Sequence, residues 1–343
     1  MNLPHTIAER CVHSIIEVAS CRACVDACPQ EAWILDDTSL SLNYQACDGC
    51  GLCKPACPEG SIEIRQPLST RSLWDHCITL LSCAESGVIE SKAQLPCIHS
   101  LGLQEILRLY NKGVRHLVVA TGDCNECPKG GGERLDQRLA PLNHSLAQAG
   151  QALFNLQYKS MADWNEYQLH SSAAPSGPVV SRRGFFHAFI PAENNDEQNL
   201  VEYLSGESRL FTPLAQLLPG LNDDSILPHV PEIDPHHCSG CNACIRVCPH
   251  QALDITHENS APCYHLLASQ CTGCGICMDI CDQEAITIHR WTRPQHQQIP
   301  LQKMSCSACG VPFHEPVAVD KTIKSTCRIC SAKNHHSNLF QIL

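Results

Sequence analysis

The sequence has no long apolar run, few basic residues relative to acidic ones, and no segment that marks it for export. No stretch approaches the roughly 18 apolar residues of a membrane-spanning helix, so we expect no membrane span. Lys and Arg total 24 against 35 Asp and Glu, and the net charge of -11 disfavours binding to nucleic acid through its phosphates. The N-terminal segment lacks a basic start, an apolar core and a small-residue cleavage site, so we expect a cytoplasmic protein.

Cysteine is the residue that stands out, with 26 in 343 residues. An even count is compatible with a set of disulfides, but disulfide-dense chains are small secreted scaffolds. This chain is large, carries no export signal, and places its cysteines two or three residues apart. We therefore interpret the cysteines as metal ligands.

One short phrase occurs four times: a cysteine, usually a proline, two further residues, a small residue and the start of an apolar strand. Its copies are residues 28–32, 57–61, 248–252 and 281–285, the last with Asp282 in place of proline. Three copies end a complete C-x2-C-x2-C-x3-C run: Cys47/Cys50/Cys53/Cys57, Cys238/Cys241/Cys244/Cys248 and Cys271/Cys274/Cys277/Cys281. Three closely spaced thiolates suit three corners of an iron–sulfur cubane, and the fourth points to a neighbouring cluster. The spacing predicts iron–sulfur sites, with zinc or a chance clustering of cysteines as the alternatives.

These motifs resemble bacterial two-cluster (2[4Fe-4S]) ferredoxins, once over about residues 11–66 and again over about residues 236–291. The resemblance implies crossed ligation, in which each cluster takes three cysteines from one run and one from the other. In the second module it implies one cluster on Cys238, Cys241, Cys244 and Cys281. It implies another on Cys271, Cys274, Cys277 and Cys248. In the first module it implies a cluster on Cys47, Cys50, Cys53 and Cys28.

The remaining cluster of the first module departs from the family pattern. Cys21, Cys24 and Cys57 match family ligands, but Val18 stands where the family has its first cysteine. Cys11 is the spare thiol nearby, and we predict that it is the fourth ligand. The alternatives are a three-iron cluster and a cluster with an open iron site, which would be a place for catalysis.

Between the two modules, strand and helix patterns alternate, which predicts a small parallel α/β domain. The predicted strands are residues 77–82, 116–120 and 152–158, and the predicted helices are residues 101–110 and 133–148. Ligands gather at the carboxyl ends of parallel strands. We therefore expect four cysteines near those ends to meet at one site: Cys83, Cys97, Cys124 and Cys127.

This arrangement loosely resembles the iron–sulfur delta subunit of the hydrogenase associated with heterodisulfide reductase, in which one cluster relays electrons. The resemblance implies a fifth cluster, [2Fe-2S] or [4Fe-4S], on these four cysteines. A zinc site, a redox dithiol at Cys124 and Cys127, and inert buried cysteines are the alternatives. Cys77 and Cys263 are predicted to be core residues.

Residues 166–231 contain several prolines among polar stretches, which predicts an interdomain linker with short helices at 198–204 and 214–218. Within it, Ser181–Phe186 resembles a twin-arginine export motif, but no apolar segment of export length follows. The tail carries two C-x2-C pairs at a separation typical of a zinc ribbon: Cys306, Cys309, Cys327 and Cys330. A single iron, as in rubredoxin, is the alternative metal.

Together these features predict an α+β multidomain protein: two bicluster ferredoxin-like modules flanking a small parallel α/β domain, with a C-terminal zinc-ribbon-like hairpin. The expected boundaries are a first module at 1–68, an α/β domain at 69–165, a linker at 166–231, a second module at 232–294 and a tail at 295–343. The expected cofactors are four [4Fe-4S] clusters, the fifth cluster of the α/β domain, and zinc.

We expect an iron–sulfur electron-transfer protein (a polyferredoxin) that carries low-potential electrons within or between cytoplasmic oxidoreductase complexes, more as a non-catalytic subunit than as an enzyme. Four oxidised cubanes at about -2 each would take the charge from -11 to about -19. Such a surface attracts basic patches on redox partners, such as a dehydrogenase or hydrogenase complex.

Two other functions fit the sequence. The first is an accessory protein that matures a molybdenum or other redox enzyme, because the chain resembles ferredoxin-like maturation proteins in its irregular cluster motifs and, as in some of them, in a twin-arginine-like segment. The second is a reductase that acts at the cysteine site of the middle domain.

Overall fold

The fold is that of a computed structural model. It describes residues 3–36, 39–73, 76–89, 93–130, 133–173, 202–203, 211–258, 261–295, 298–320 and 325–332. The twin-arginine-like residues 181–186 and most of the helix expected at 198–204 lie outside these ranges. Among the residues described, the longest helix has 14 residues, and none is long and apolar enough to cross a membrane.

The first module consists of two small antiparallel strand pairs and two short helices. Its elements are β1 (His5–Thr6), α1 (Ala23–Asp26), β2 (Trp33–Leu35), β3 (Leu40–Leu42), α2 (Cys53–Ala56) and β4 (Ile62–Glu63). β1 pairs with β4, and β2 pairs with β3. β2 and β4 follow directly after two copies of the repeated phrase, where the sequence predicts the start of an apolar strand. A module this small buries little apolar surface, so it needs support from metals or neighbours.

The α/β domain is built on one mixed sheet. Its elements are β5 (Pro67–Leu73), β6 (His76–Cys83), β7 (Gln94–Leu95), α3 (Leu103–Asn111), β8 (His116–Ala120), α4 (Leu135–Gln148), β9 (Asn155–Lys159), α5 (Met161–His170) and β10 (Ser172–Ala173). The sheet runs β10-β5-β6-β8-β9, β7 adds to β6, and β11 (Glu202–Tyr203) pairs with β5. The strands β6, β7, β8 and β9 are mutually parallel, as predicted for β6, β8 and β9.

Two elements of this domain, β5 and α5, are not predicted by the sequence pattern. β5 is antiparallel to β6, and its polar sequence gives no strand alternation. α5 lies partly in the predicted linker and buries only Trp164. Its amphipathic pattern is correspondingly weak.

The core of the domain lies between the sheet and helices α3 and α4. Leu107 of α3 and Leu142 of α4 are fully buried with Leu117 and Val119 of β8. Each such leucine stabilises the fold by about 1.5–3 kcal/mol relative to an exposed position. On the opposite face of the sheet, α5 packs Trp164 against Ile78, Leu80 and Val118, among others.

The second module repeats the plan of the first and continues into the tail. Its elements are β12 (Leu227–Ile233), α6 (Ala243–Val247), β13 (Leu253–Glu258), β14 (Ala261–Leu266), α7 (Ile276–Asp279) and β15 (Ile286–Thr292). β12 pairs with β15, and β13 with β14. The tail adds β16 (Gln298–Ser305), β17 (Pro312–Pro316) and α8 (Arg328–Ala332). β16 pairs with β14, so the hairpin becomes a four-stranded sheet in the order β13-β14-β16-β17.

Described residues of the predicted linker are packed rather than extended between domains. The helix expected at 214–218 is a 3-10 helix at Leu214–Leu217. Ala215, Leu218 and Leu227 join the hydrophobic core of the α/β domain. The prolines that suggested a linker stand between these apolar residues, and the apolar residues decide the packing. Residues 202–203 form a strand, although the sequence predicts a helix there.

Candidate metal centres

The repeated phrase has the same local structure in all four copies. The main-chain N–H of its small residue donates to the sulfur of its cysteine, at 3.2–3.3 Å in every copy. The residue before the small one has a positive φ, between 48° and 56°. The small residues are almost completely buried: Ala32, Ser61, Ala252 and Ala285. The phrase therefore builds a turn that aims an N–H at a sulfur and leaves no space for a larger side chain.

The three complete cysteine runs share a second turn. The residues before and after the second cysteine both have positive φ, and five of these six positions are glycine: Gly49, Gly51, Gly240, Asn242, Gly273 and Gly275. Such turns direct successive main-chain N–H groups toward an anion. Burial raises the thiol pKa of Cys47 and Cys271, the first cysteines of two runs. The N–H groups of Gly49 and Gly273 in the same runs oppose this rise. The loops are shaped for thiolates.

Two groups of cysteines form in the second module. Centre 4 is Cys248, Cys271, Cys274 and Cys277. These four cysteines line one small cavity of about 20 Å³. Centre 5 is Cys238, Cys241, Cys244 and Cys281. Burial first, and then the other thiols of this group, raises the pKa of Cys244 to about 12.

Two further groups form in the first module. Centre 2 is Cys28, Cys47, Cys50 and Cys53. Burial first, and then the thiols of Cys28 and Cys47, raises the pKa of Cys53 to about 11. Centre 1 is Cys11, Cys21, Cys24 and Cys57. Burial first, and then the neighbouring thiols, including the other three of this group, raises the pKa of Cys24 to about 12.

The structure places Cys11, rather than Val18, beside the other three cysteines of centre 1. Val18 is 58% exposed, whereas Cys11 lies close enough to interact with Cys21, Cys24 and Cys57. The pairing of β1 with β4 carries the N-terminal segment past the loop of Cys57, and the Ile7 N–H donates to the Ser61 carbonyl at 2.7 Å. Sequence spacing alone did not indicate this route.

The four cysteines of the α/β domain also converge. Centre 3 is Cys83, Cys97, Cys124 and Cys127. Cys83 ends β6, Cys97 follows β7, and the other two lie on the loop after β8. Burial first, and then the other three thiols, raises the pKa of Cys97 to about 11. Cys83 and Cys97 are buried, while the loop cysteines Cys124 and Cys127 are only half-buried.

The tail cysteines form the tightest group. All four Sγ atoms lie within 4.8 Å of one another: Cys306, Cys309, Cys327 and Cys330. Tetrahedral metal–sulfur bonds of about 2.3 Å require sulfur–sulfur distances of about 3.8 Å. The Cys309 and Cys327 sulfurs are 3.9 Å apart, so this group fits a single metal ion. An N–H from Cys327 is the main cause that lowers the pKa of Cys306 to about 6, which favours its thiolate.

All 26 cysteines are free of disulfides. Burial is the largest cause of the raised pKa at ligand candidates in centres 1, 2, 3, 4 and 5. Metal or cluster binding takes up thiolates, so filling these groups releases protons. Cys77 and Cys263 are half-buried on strands β6 and β14, away from the metal-binding loops. Cys77 packs against the core of the α/β domain.

The comparisons with known proteins agree with the two modules. Residues 19–62 match the 4Fe-4S dicluster domain family, and residues 231–254 and 266–287 match the 4Fe-4S binding domain family. No curated protein matches the chain. The chain therefore contains two 4Fe-4S ferredoxin-type regions, which indicate an iron–sulfur electron-transfer protein.

Buried polar contacts join the two modules between centres 1 and 4. Glu59, two residues after Cys57, accepts a hydrogen bond from the Thr272 hydroxyl, and both side chains are buried. His250 lies 2.7 Å from the other oxygen of the Glu59 carboxylate. At the edge of this junction, Asp279 accepts hydrogen bonds from the N–H and hydroxyl of Ser20 at 2.9 and 2.6 Å. Nothing in the sequence around Glu59 indicates this contact.

Another set of contacts joins the first module to the α/β domain. Cys50 of centre 2 and Cys97 of centre 3 share a small apolar cluster with Leu52. Nearby, Lys54 of α2 and Glu105 of α3 form a buried ion pair of 2.8 Å. Burial opposes ionisation of Glu105, but the Lys54 ammonium outweighs it and lowers the pKa of the carboxyl.

Proposed function

We propose that this protein is a polyferredoxin in which five iron–sulfur centres form one continuous electron path. The observation that carries the proposal is the spatial order of the cysteine groups, which is centre 5, centre 4, centre 1, centre 2 and centre 3. The donor set fits the clusters, because each group supplies four cysteines on loops whose N–H groups face sulfur. The clusters would carry one electron at a time, and the chain's own residues would set the spacing and the surroundings of each.

Each step of the path is supported by a contact between neighbouring groups. Cys244 of centre 5 is close enough to interact with Cys277 of centre 4. Centre 4 meets centre 1 through the Thr272–Glu59 junction. Cys24 of centre 1 interacts with Cys53 of centre 2. The remaining step, from centre 2 to centre 3, is the shared cluster of Cys50 and Cys97 described above.

The two ends of the path both have half-exposed cysteines, which at centre 5 are Cys238, Cys241 and Cys281, but they differ in what lies over them. At centre 5 the tail lies over the loop, where the Asn242 side-chain oxygen accepts from the Tyr264 hydroxyl at 2.6 Å and lies 2.9 Å from Nε2 of His314. At centre 3 the loop cysteines Cys124 and Cys127 are half-exposed. Both end centres are therefore proposed points of exchange with redox partners, such as a dehydrogenase or hydrogenase complex, and the tail partly covers the one at centre 5.

The tail would hold one zinc ion rather than a redox centre. Its four thiolates are the closed tetrahedral set of a structural zinc site, and zinc undergoes no redox change. The ion would fix β16 and β17 beside the second module. The 26 free thiols suit a reducing compartment, which supports a cytoplasmic location.

Iron, acid-labile sulfide and zinc per chain on anaerobically purified protein test the proposal. Five cubanes predict about 20 iron and one zinc, and a [2Fe-2S] centre 3 predicts about 18 iron. About 16 iron would remove centre 3 from the path. Fully loaded protein that accepts no electrons between about 0 and -600 mV would refute the electron-transfer function.

A second candidate function is a reductase at centre 3, and the exposure of Cys124 and Cys127 favours it. Activity with a chemical donor that reaches centre 3 directly would then be abolished by Cys124→Ala. The matched variant Cys274→Ala, which alters centre 4 alone, would retain it. Loss of activity in both variants would instead indicate that electrons arrive through the path.

A further inference from the structure

A cavity of about 560 Å³ lies where the two modules and the α/β domain meet. Its walls come from α2 and β4 of the first module, α3 of the α/β domain, and β12 and β15 of the second module. This volume is in the range of sites that bind small organic molecules. Cys57 of centre 1 and Thr272, adjacent to Cys271 of centre 4, form part of its wall.

The charge of the cavity is opposite to that of the protein. Six Lys or Arg residues line it, against three glutamates, so its formal charge is +3 in a chain of net charge -11. All three glutamates are already in ion pairs: Arg10 with Glu63 at 3.5 Å, Lys54 with Glu105 at 2.8 Å and Arg138 with Glu133 at 3.1 Å. These pairs do not include Arg108 or Arg290, which leaves the wall with more cationic groups than carboxylates.

Two arginines on different elements contribute to this excess. Arg108 of α3 is half-buried, and Arg290 of β15 is exposed. In the described part of the chain, no carboxylate lies within ion-pair distance of either guanidinium. Guanidinium groups bind phosphate and carboxylate through paired hydrogen bonds, which makes them suited to an anionic ligand.

The rest of the wall offers an apolar surface for a ring. Ile62, Leu103 and Trp291 contribute to it. Trp291 has a φ of 49°, in the left-handed region, and such a conformation is strained for a large side chain. The Phe211 ring lies against Gly60, where a Cβ atom would come within 2.1 Å of it. The wall thus combines cationic groups with aromatic and aliphatic side chains.

We propose that this cavity binds a small phosphorylated molecule with a planar ring, of about the size of a mononucleotide. Arg108 and Arg290 bind the phosphate, and the ring lies on the apolar wall with Trp291. The ligand then contacts the loops of centres 1 and 4, at the junction of the two modules. This site does not depend on the path proposed above, because its wall is formed by the folded chain.

Equilibrium dialysis of the fully loaded protein tests the site, with flavin mononucleotide, AMP and inorganic phosphate as separate probes. We expect saturable binding of one flavin mononucleotide or AMP per chain, weakened by added salt, and much weaker binding of phosphate alone. Arg108→Gln and Arg290→Gln should each weaken binding about tenfold. Lys303→Gln, which removes an exposed cation on β16, is the matched control and should bind as the unaltered protein does.

Iron content, measured on each variant, separates loss of the site from loss of the clusters. Weaker binding at unchanged iron content supports the proposal, and one of the two arginine variants suffices if the other does not fold. Binding of neither nucleotide at millimolar concentration would overturn the proposal. Nucleotide binding that both arginine variants leave unchanged would also overturn it, as would phosphate binding as tight as that of AMP. Preference for flavin mononucleotide over AMP would identify the ring as a flavin.

Discussion

The two ferredoxin-type modules share one plan but are supported in different ways. In the first module, the hairpin β2–β3 has strands of three residues, and buried polar contacts with the α/β domain hold the module in place. In the second module, the corresponding hairpin β13–β14 has strands of six residues and is extended by two strands of the tail. A fold with little core of its own can be stabilised either by docking or by extending its sheet.

The ligand sets differ in the same way. Every ligand candidate of the second module lies in a complete cysteine run. The proposed ligand Cys11 of the first module lies on a segment outside its runs, and β1 places that segment. The first module would therefore take a ligand from distant residues, and the second takes two strands of its sheet from them.

Among the variants that test this difference between the modules, removal of Cys11 should have the largest effect, which is on the iron content of the first module. We expect Cys11→Ala to lower iron by one to four atoms per chain and to change the electron paramagnetic resonance spectrum of the reduced protein. Val18→Cys should not restore the lost iron, because Val18 is exposed to solvent. Cys77→Ala is the control, with unchanged iron. Full iron and an unchanged spectrum in Cys11→Ala would show that Cys11 is not a ligand.

The buried ion pair between the first module and the α/β domain should have the next largest effect. We expect Lys54→Met to destabilise the protein by about 3–5 kcal/mol at neutral pH, because Glu105 is left buried without its partner. The double variant Lys54→Met with Glu105→Gln should recover most of this loss. Unfolding by denaturant gives both values, and equal stability of the single and double variants would contradict the prediction.

The same ion pair predicts that Lys54→Met changes how the stability of the protein depends on pH. In the unaltered protein, Lys54 lowers the pKa of Glu105, so the pair stabilises the fold above the ordinary carboxyl pKa, and this stability is lost as pH falls through the lowered value. In Lys54→Met, burial, the largest cause, is opposed only by a main-chain N–H and by the charge of Arg108, so we expect that pKa to rise. The destabilisation should therefore diminish as pH falls from 7 to 5, measured by the same unfolding experiment at each pH.

The junction between the modules should show a smaller effect. Thr272→Val removes the hydrogen bond to a buried carboxylate and should cost about 1.5–3 kcal/mol. Ser20→Ala is the counterpart on the exposed edge of the same junction and should change stability by about 0.5 kcal/mol or less. If the two variants were equally stable, the buried contact would not hold the modules together.

The tail should have the most local effect, confined to the second module. Cys327→Ala removes one of the four tail cysteines, so we expect loss of the bound metal and faster amide exchange in β16 and β17. Amide exchange in β2 and β3 should be unchanged. Faster exchange in both modules would mean that the tail supports the whole protein rather than one sheet.

The sequence predicts the cysteine motifs and several single helices and strands. It does not predict the contacts between residues that are far apart in the chain. Cysteine spacing locates the two matched regions, and apolar periodicity predicts β8 over the same residues and α4 to within two residues at its start. The polar strand β5 carries no local pattern, so it was not predicted. The junction at Glu59 and the cavity depend on residues far apart in the chain, and no short motif records them.

The Thr272–Glu59 contact spans 213 residues of the chain. Every cysteine of centres 1, 2 and 3 has been synthesised by residue 127, whereas this contact requires the second module. During synthesis the N-terminal domains can therefore fold and acquire metal while the rest of the chain is still being made, because domains fold as units in order of their emergence. The junction can close only after Thr272 has been made, so a chain truncated before that residue would carry centres 1, 2 and 3 without the contact to centre 4. Synthesis of the second module is itself the step that connects the two sets of centres.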